Sequence, residues 1–257
     1  EGGQQAGAED ARVNYARGGG AAVAPEQFVN LPNAITAARI AISPLIALLP
    51  LLPSPFWRGL GFALYVASAV SDYFDGWFAR TRGMVTNLGK ALDPLADKLL
   101  LVATFVPLII LQGRATDPLA SFFAGALRIS TVSAFQFPFT TWFGTFSLPW
   151  WVVAVVLGRE LFMTVFRQLA QGKGVVIAAN YPAKVKAVTQ YIWVGTAYFW
   201  FGAETLAARD GWAGKPVWDV LRPLVAAIGV VSMCAAVGLT IASFAIYIRR
   251  YGALFTR

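Results

Sequence analysis

From Leu31 onward, apolar stretches of about the 20 residues that a membrane-crossing helix needs follow one another along the chain. The pattern predicts spans over Ile35–Leu52, Phe56–Phe78, Leu92–Leu111, Leu148–Leu169, Val185–Phe201 and Val217–Ile248, the last overlong and tilted. Residues Leu119–Phe146 interrupt the pattern. Ser121-Phe122-Phe123 and Phe135–Phe143 are apolar, but Arg128, Pro138 and many Ser and Thr break them up. An interfacial or re-entrant insertion fits this stretch better than a seventh span. Residues 1–30, rich in Gly and Ala as far as Pro25, read as a flexible tail that lacks the apolar core of a secretory signal peptide. The expected fold is therefore all-α: a polytopic integral membrane domain over residues 31–251 with six transmembrane helices, and a short tail at 252–257.

Composition agrees and removes several chemistries. The 257 residues are 57% hydrophobic and 13% charged, against about 25% charged in a soluble domain. There is no histidine, which excludes Ser-His-Asp catalysis, histidine bases and His-ligated zinc. The single cysteine, Cys234, can form neither an internal disulfide nor a cysteine metal cluster. A net charge of +8 in so apolar a chain suits anionic headgroups or phosphorylated substrates better than nucleic acid. Six spans leave both termini on one side. Counting Arg80, Arg82, Lys90, Lys184, Lys186, Arg249 and Arg250 there, against Arg58, Arg114, Arg128, Arg209, Lys215 and Arg222 opposite, places that side in the cytoplasm.

Ser71–Lys98 carries the chemistry: SDYFDGWFARTRGMVTNLGKALDPLADK. An ionised carboxylate inside a membrane helix costs about 2.5–3.5 kcal/mol on insertion scales, so acids there are functional candidates. Asp72 and Asp75 are spaced i,i+3, and Asp93 and Asp97 i,i+4, so each pair shares a helix face. A short loop between the helices would bring all four to one depth near the cytoplasmic surface. Four carboxylates together require cations, and oxygen ligands alone suit Mg²⁺ or Mn²⁺ completed by substrate phosphates. Gly76 and Gly89 would allow close backbone approach. A blander reading makes Asp93 an N-cap with Pro94 at the first helical position; if the helix starts earlier, Pro94 costs one backbone bond. Gly83–Lys90 resembles a P-loop, but the glycine spacing is wrong and Ala91 follows the lysine.

These residues match the signature D-x2-D-G-x2-A-R-x8-G-x3-D-x3-D with every gap kept, at Asp72, Asp75, Gly76, Ala79, Arg80, Gly89, Asp93 and Asp97. In this the chain resembles the CDP-alcohol phosphatidyltransferases, which move a phosphatidyl group from a CDP-lipid to an alcohol and release CMP. The resemblance implies that the four aspartates hold two divalent cations (Mg²⁺ or Mn²⁺) on the CDP diphosphate and that Asp97 also accepts the proton. It carries CDP contacts to Gly76, Arg80 and Gly89, to the hydroxyl of Thr86, and to Asn33 and Thr36 in the Leu31–Arg39 stretch. Asn33 and Thr36 read equally well as caps of the first membrane helix. A homodimer in the bacterial plasma (inner) membrane, with the active site facing the cytoplasm, is implied as well.

Leu31–Ile40, Gly158-Arg159-Glu160-Leu161 with Arg167, and Ala183–Lys186 are similar to the branch that uses glycerol 3-phosphate as acceptor, with CDP-diacylglycerol as donor. Arg159, deep in an apolar span, is costly unless it meets an anion. Pairing it with the adjacent Glu160 is disfavoured, since i,i+1 residues do not face each other. Lys184 and Lys186 lie about 200° apart on a regular helix. Lys184 is the expected pocket residue, leaving Lys186 to lipid headgroups. Acceptors of cardiolipin, phosphatidylserine or phosphatidylinositol-phosphate synthesis are the alternatives within the family. Membrane prenyltransferases differ in aspartate spacing, and a cation-coupled transporter would leave the Gly76, Arg80 and Gly89 register unexplained.

Overall fold

Proline opens three of the helices, where its fixed φ and missing N–H cost nothing: Pro55 begins α2, Pro118 begins α4 and Pro216 begins α7. In the computed structural model the order is α1 (Leu31–Leu48), a 3₁₀ turn (Leu49–Leu51), α2 (Pro55–Thr81), α3 (Asn87–Gln112), α4 (Pro118–Ala126), β1 (Phe139–Thr141), β2 (Gly144–Phe146), α5 (Trp150–Gly172), α6 (Tyr181–Asp210) and α7 (Pro216–Tyr251). The structure describes residues 31–81, 87–130, 134–172 and 181–251, without the side chains of 31–32, 73–81, 87–91, 93 and 182. The two expected tails and Thr86 lie outside the described residues. The protein is mostly helical, and long helices run over all six predicted stretches. Among the described residues, Asn33–Leu51, Pro94–Gln112 and Pro216–Tyr251 are long and apolar enough to cross a membrane.

The insertion takes definite form and two expectations change. The stretch 119–146 forms the nine-residue α4 and an antiparallel hairpin pairing Phe139 with Phe146 and Thr141 with Gly144. Neither could be a seventh span, since nine helical residues rise only about 14 Å. Helix α3 begins at Asn87, so Asp93 and Pro94 lie inside it and the N-cap reading of Asp93 fails. Arg58, assigned to an outer loop, is buried at the start of α2. Its Nε donates to the Pro50 carbonyl at 2.9 Å, its Nη1 to Thr205, and its guanidinium lies 4.4 Å from the Phe137 ring centre.

Helix ends explain how irregular backbone is accommodated. Orphan carbonyls closing α3 are met by the insertion: Phe135 N–H donates to Ile110 O, Phe137 N–H to Leu111 O and Leu148 N–H to Gln112 O, at 2.8–3.0 Å. At the end of α6, Gly211 adopts φ +61° and Trp212 N–H reaches back to Ala207 O at 2.9 Å, a Schellman closure that needs the left-handed glycine.

The main core gathers α2, α3, α6 and α7 around Tyr65, Phe105, Trp193, Tyr198 and Phe201. Helix α1 packs against both α2 and α3, and α6 against α2 and α7. Helix α7 buries a row of small residues, Ala226, Gly229, Ala236, Thr240 and Ser243, letting neighbours approach closely. Gly229 is the extreme case, because a Cβ there would stand 2.3 Å from Cζ of Phe139 on the hairpin.

Overpacking at this contact should cost roughly 1–3 kcal/mol. Gly229→Ala is thus expected to lower the thermal midpoint in detergent, with partial recovery when Phe139→Leu is added. Gly238→Ala, on the same helix with nothing within 4 Å, should not lower it. Equal midpoints for the two alanine variants would refute the contact.

Candidate active site

Asp72 sits late on α2 and Asp97 one turn beyond Asp93 on α3, as the spacing predicts. Their carboxylates converge on one residue of a third helix. Arg39 of α1 places Nη1 2.6 Å from Asp72 Oδ1 and Nη2 2.7 Å from Asp97 Oδ1, with only 3% of its side chain exposed. Tyr191 of α6 donates its hydroxyl to the other Asp72 oxygen at 3.2 Å. Asp72 is held at both ends. Asp97 keeps 58% of its side-chain surface open and looks into a cleft.

Asp75, Gly76 and Arg80 lie on α2, and Gly89 and Asp93 on α3, but their side chains are outside the described residues. Asn33 and Thr36 are 5% and 1% exposed and lie inside α1, which is helical from Leu31; neither caps it. Both face the interior with polar partners.

The described donors are consistent with a hard divalent cation. They are carboxylate oxygens already gathered around a positive charge, with no sulfur or imidazole beside them.

The cleft has a volume of about 800 Å³. Its floor and walls carry Asp97 and Lys98 from α3, Glu160 and Arg167 from α5, and Lys186 and Gln190 from α6. Lys98 Nζ donates to the Thr164 hydroxyl, which in turn donates to the Glu160 carbonyl at 2.8 Å. Glu160 Oε1 receives Lys186 Nζ and also Arg159 Nη1, the latter at 3.0 Å. Arg159 Nη2 donates to Ser243 of α7 at 3.2 Å.

Two sequence expectations are corrected here. The adjacent Arg159 and Glu160 do pair, because both side chains are long enough to bend toward the seam where α6 meets α5. The lysines exchange roles. Lys186 is 5% exposed and lines the cleft, whereas Lys184 is exposed on the far face, so the predicted half-turn separation holds with the opposite residue inside. Arg159 itself stands behind Glu160, and Arg167 takes the place at the cleft wall.

Arg39 and Tyr191 escaped the sequence reading. Arg39 had a signal: a charge in an otherwise apolar helix must have a partner. Tyr191 had none, since a tyrosine in a membrane helix reads as packing.

Beside the polar cleft runs an apolar groove of about 510 Å³, bordered by Phe62, Val66, Val188 and Ile192. Tyr65 and Tyr191 line both. The Tyr65 hydroxyl donates to the Tyr191 carbonyl at 2.9 Å, so the two rings form one partition between polar and apolar space.

Comparison with known proteins places the sequence in a family. A sequence model described as CDP-alcohol phosphatidyltransferase matches residues 29–141 and 112–242. The chain is 33% identical over 175 residues to a Bacillus subtilis protein named CDP-diacylglycerol–glycerol-3-phosphate 3-phosphatidyltransferase, covering 63% of this chain and 73% of that one. A Rickettsia bellii protein of the same name is 48% identical over 80 residues, 31% of this chain and 44% of the relative. A rice protein named cardiolipin synthase (CMP-forming) is 28% identical over 231 residues, 88% of this chain and 58% of its own length. The match thus spans less than half of the Rickettsia protein. With the family model covering most of the sequence, this chain belongs to the CDP-alcohol phosphatidyltransferase family.

Proposed function

We propose that this protein transfers the phosphatidyl group of CDP-diacylglycerol to glycerol 3-phosphate, giving phosphatidylglycerophosphate and CMP. The observation that carries the reading is the meeting of Asp72 and Asp97 beside a cleft whose other walls carry Lys98, Arg167 and Lys186 around a single acid, Glu160, among the described residues. Asp72, Asp75, Asp93 and Asp97 would hold the divalent cations, which when bound neutralise the diphosphate and the charge developing on CMP. Gly76, Arg80, Thr86 and Gly89 contact the CDP moiety, with Asn33 and Thr36 beside them. Among the described carboxylates at the cleft Asp97 is the most open, and Arg39 occupies one of its oxygens. Its other oxygen takes the proton of the acceptor hydroxyl. That hydroxyl oxygen bonds to the phosphorus bearing diacylglycerol, and the bond from this phosphorus to the CMP oxygen breaks.

Lys186 and Arg167 at the cleft wall supply charge for the acceptor phosphate, and Arg159 steadies Glu160 behind them. The apolar groove across the Tyr65–Tyr191 partition suits an acyl chain whose headgroup lies in the cleft. Six spans, a cytoplasm-facing site in a bacterial plasma membrane and a homodimer complete the proposal. Cardiolipin synthesis is the second reading, favoured by the length of the match to the rice relative.

An acceptor panel with labelled CDP-diacylglycerol in detergent micelles separates the two. Glycerol 3-phosphate should release CMP in the presence of Mg²⁺ or Mn²⁺ and not with chelator; release with phosphatidylglycerol instead supports the second reading. Asp97→Asn is expected to abolish turnover while retaining CDP-lipid binding, and full activity in that variant would remove Asp97 as base. Lys186→Met should chiefly raise KM for glycerol 3-phosphate, whereas Lys184→Met should leave it unchanged. An equal effect of the two would take Lys186 out of the acceptor site.

A further inference from the structure

We propose that Arg39 is a positioning residue: its guanidinium is a fixed cation within the carboxylate centre, holding Asp72 of α2 and Asp97 of α3 at a set separation before divalent ions arrive. The inference rests on the metal-carboxylate reading above and adds a role to a residue outside the aspartate signature. Helix α1 is the element that packs against both α2 and α3, and Arg39 lies where it meets their acidic faces. Each terminal nitrogen engages a different carboxylate, so the planar fork fixes a distance as well as neutralising charge. A flexible lysine ammonium carries the same charge without that geometry. Position 39 is itself secured. The side chain is almost fully buried, and the Ser43 hydroxyl donates to the Arg39 carbonyl at 2.7 Å. With Arg39 on one oxygen of each carboxylate and Tyr191 on the second Asp72 oxygen, the first carboxylate is oriented and the second lines the cleft.

Arg39 and divalent ions then neutralise the same two groups, and their contributions cannot be additive. The full chain in detergent, stripped with chelator and titrated with Mn²⁺, gives two readouts independent of turnover: the thermal midpoint and the half-saturating Mn²⁺ concentration from spin resonance of the free ion. Arg39→Gln should fall below wild type in chelator and recover with Mn²⁺, its Mn²⁺-induced rise exceeding that of wild type by about 3 °C or more. Arg39→Lys should stay near wild type in chelator yet need about tenfold more Mn²⁺, as expected when a supporting partner of a metal ligand loses its geometry. Equal Mn²⁺-induced rises in wild type and Arg39→Gln would overturn the proposal. Should Arg39→Gln give no folded protein, Arg39→Lys decides alone, and an unchanged half-saturation overturns it. Wild type that binds no Mn²⁺ sinks the metal reading itself; wild type that binds Mn²⁺ beside indifferent Arg39 variants sinks only the positioning role.

Discussion

Two carboxylates on different helices share the guanidinium of a third, and the active end of the molecule is organised around that contact. A lone arginine in an apolar helix is costly, and so is a lone aspartate in each of two others. Bringing them together turns separate penalties into one compensated cluster, in which the buried Arg39 charge is balanced by two carboxylates at once. This constrains packing. Helix α1 must lie against both α2 and α3 at the depth of Asp72 and Asp97, and Arg39 fixes its height there. Helix α1 is therefore part of the candidate site.

The same logic recurs at Glu160. One carboxylate receives Arg159 from its own helix and Lys186 from α6, and Arg159 continues to Ser243 of α7. Three helices are tied at one level, and the cationic wall of the cleft is held without a large excess of uncompensated charge. On the other side of the Tyr65–Tyr191 partition the surface becomes wholly apolar. A lipid with a charged head and hydrocarbon tails requires such an abrupt boundary, because neither half gains from entering the other's environment.

Away from the site, the structure solves a backbone problem. Irregular chain at membrane depth is tolerated only when its polar groups are satisfied inside the protein. The insertion between α3 and α5 meets that condition by donating N–H groups to the last carbonyls of α3 and seating Phe139 on the bare backbone of Gly229. Exposed Trp142 and Phe143 cap the hairpin turn.

The linear chain determined where helices form and how the aspartates are spaced along them, since both are local properties. Apolar run length, proline at helix starts and the i,i+3 and i,i+4 aspartates are all readable within a few turns. It also fixed that Lys184 and Lys186 point apart, because helical periodicity is a local property. Which of them faces inward depends on how α6 is rotated against α2 and α7, where Trp193, Tyr198 and Phe201 are buried in the core. Pairing of Arg159 with Glu160 was likewise invisible, since it takes Lys186 from a distant segment to draw both side chains to one seam. Arg39 makes the division plain. Its charge in an apolar helix announced a partner, but two partners 33 and 58 residues downstream could be identified only once three helices were brought together.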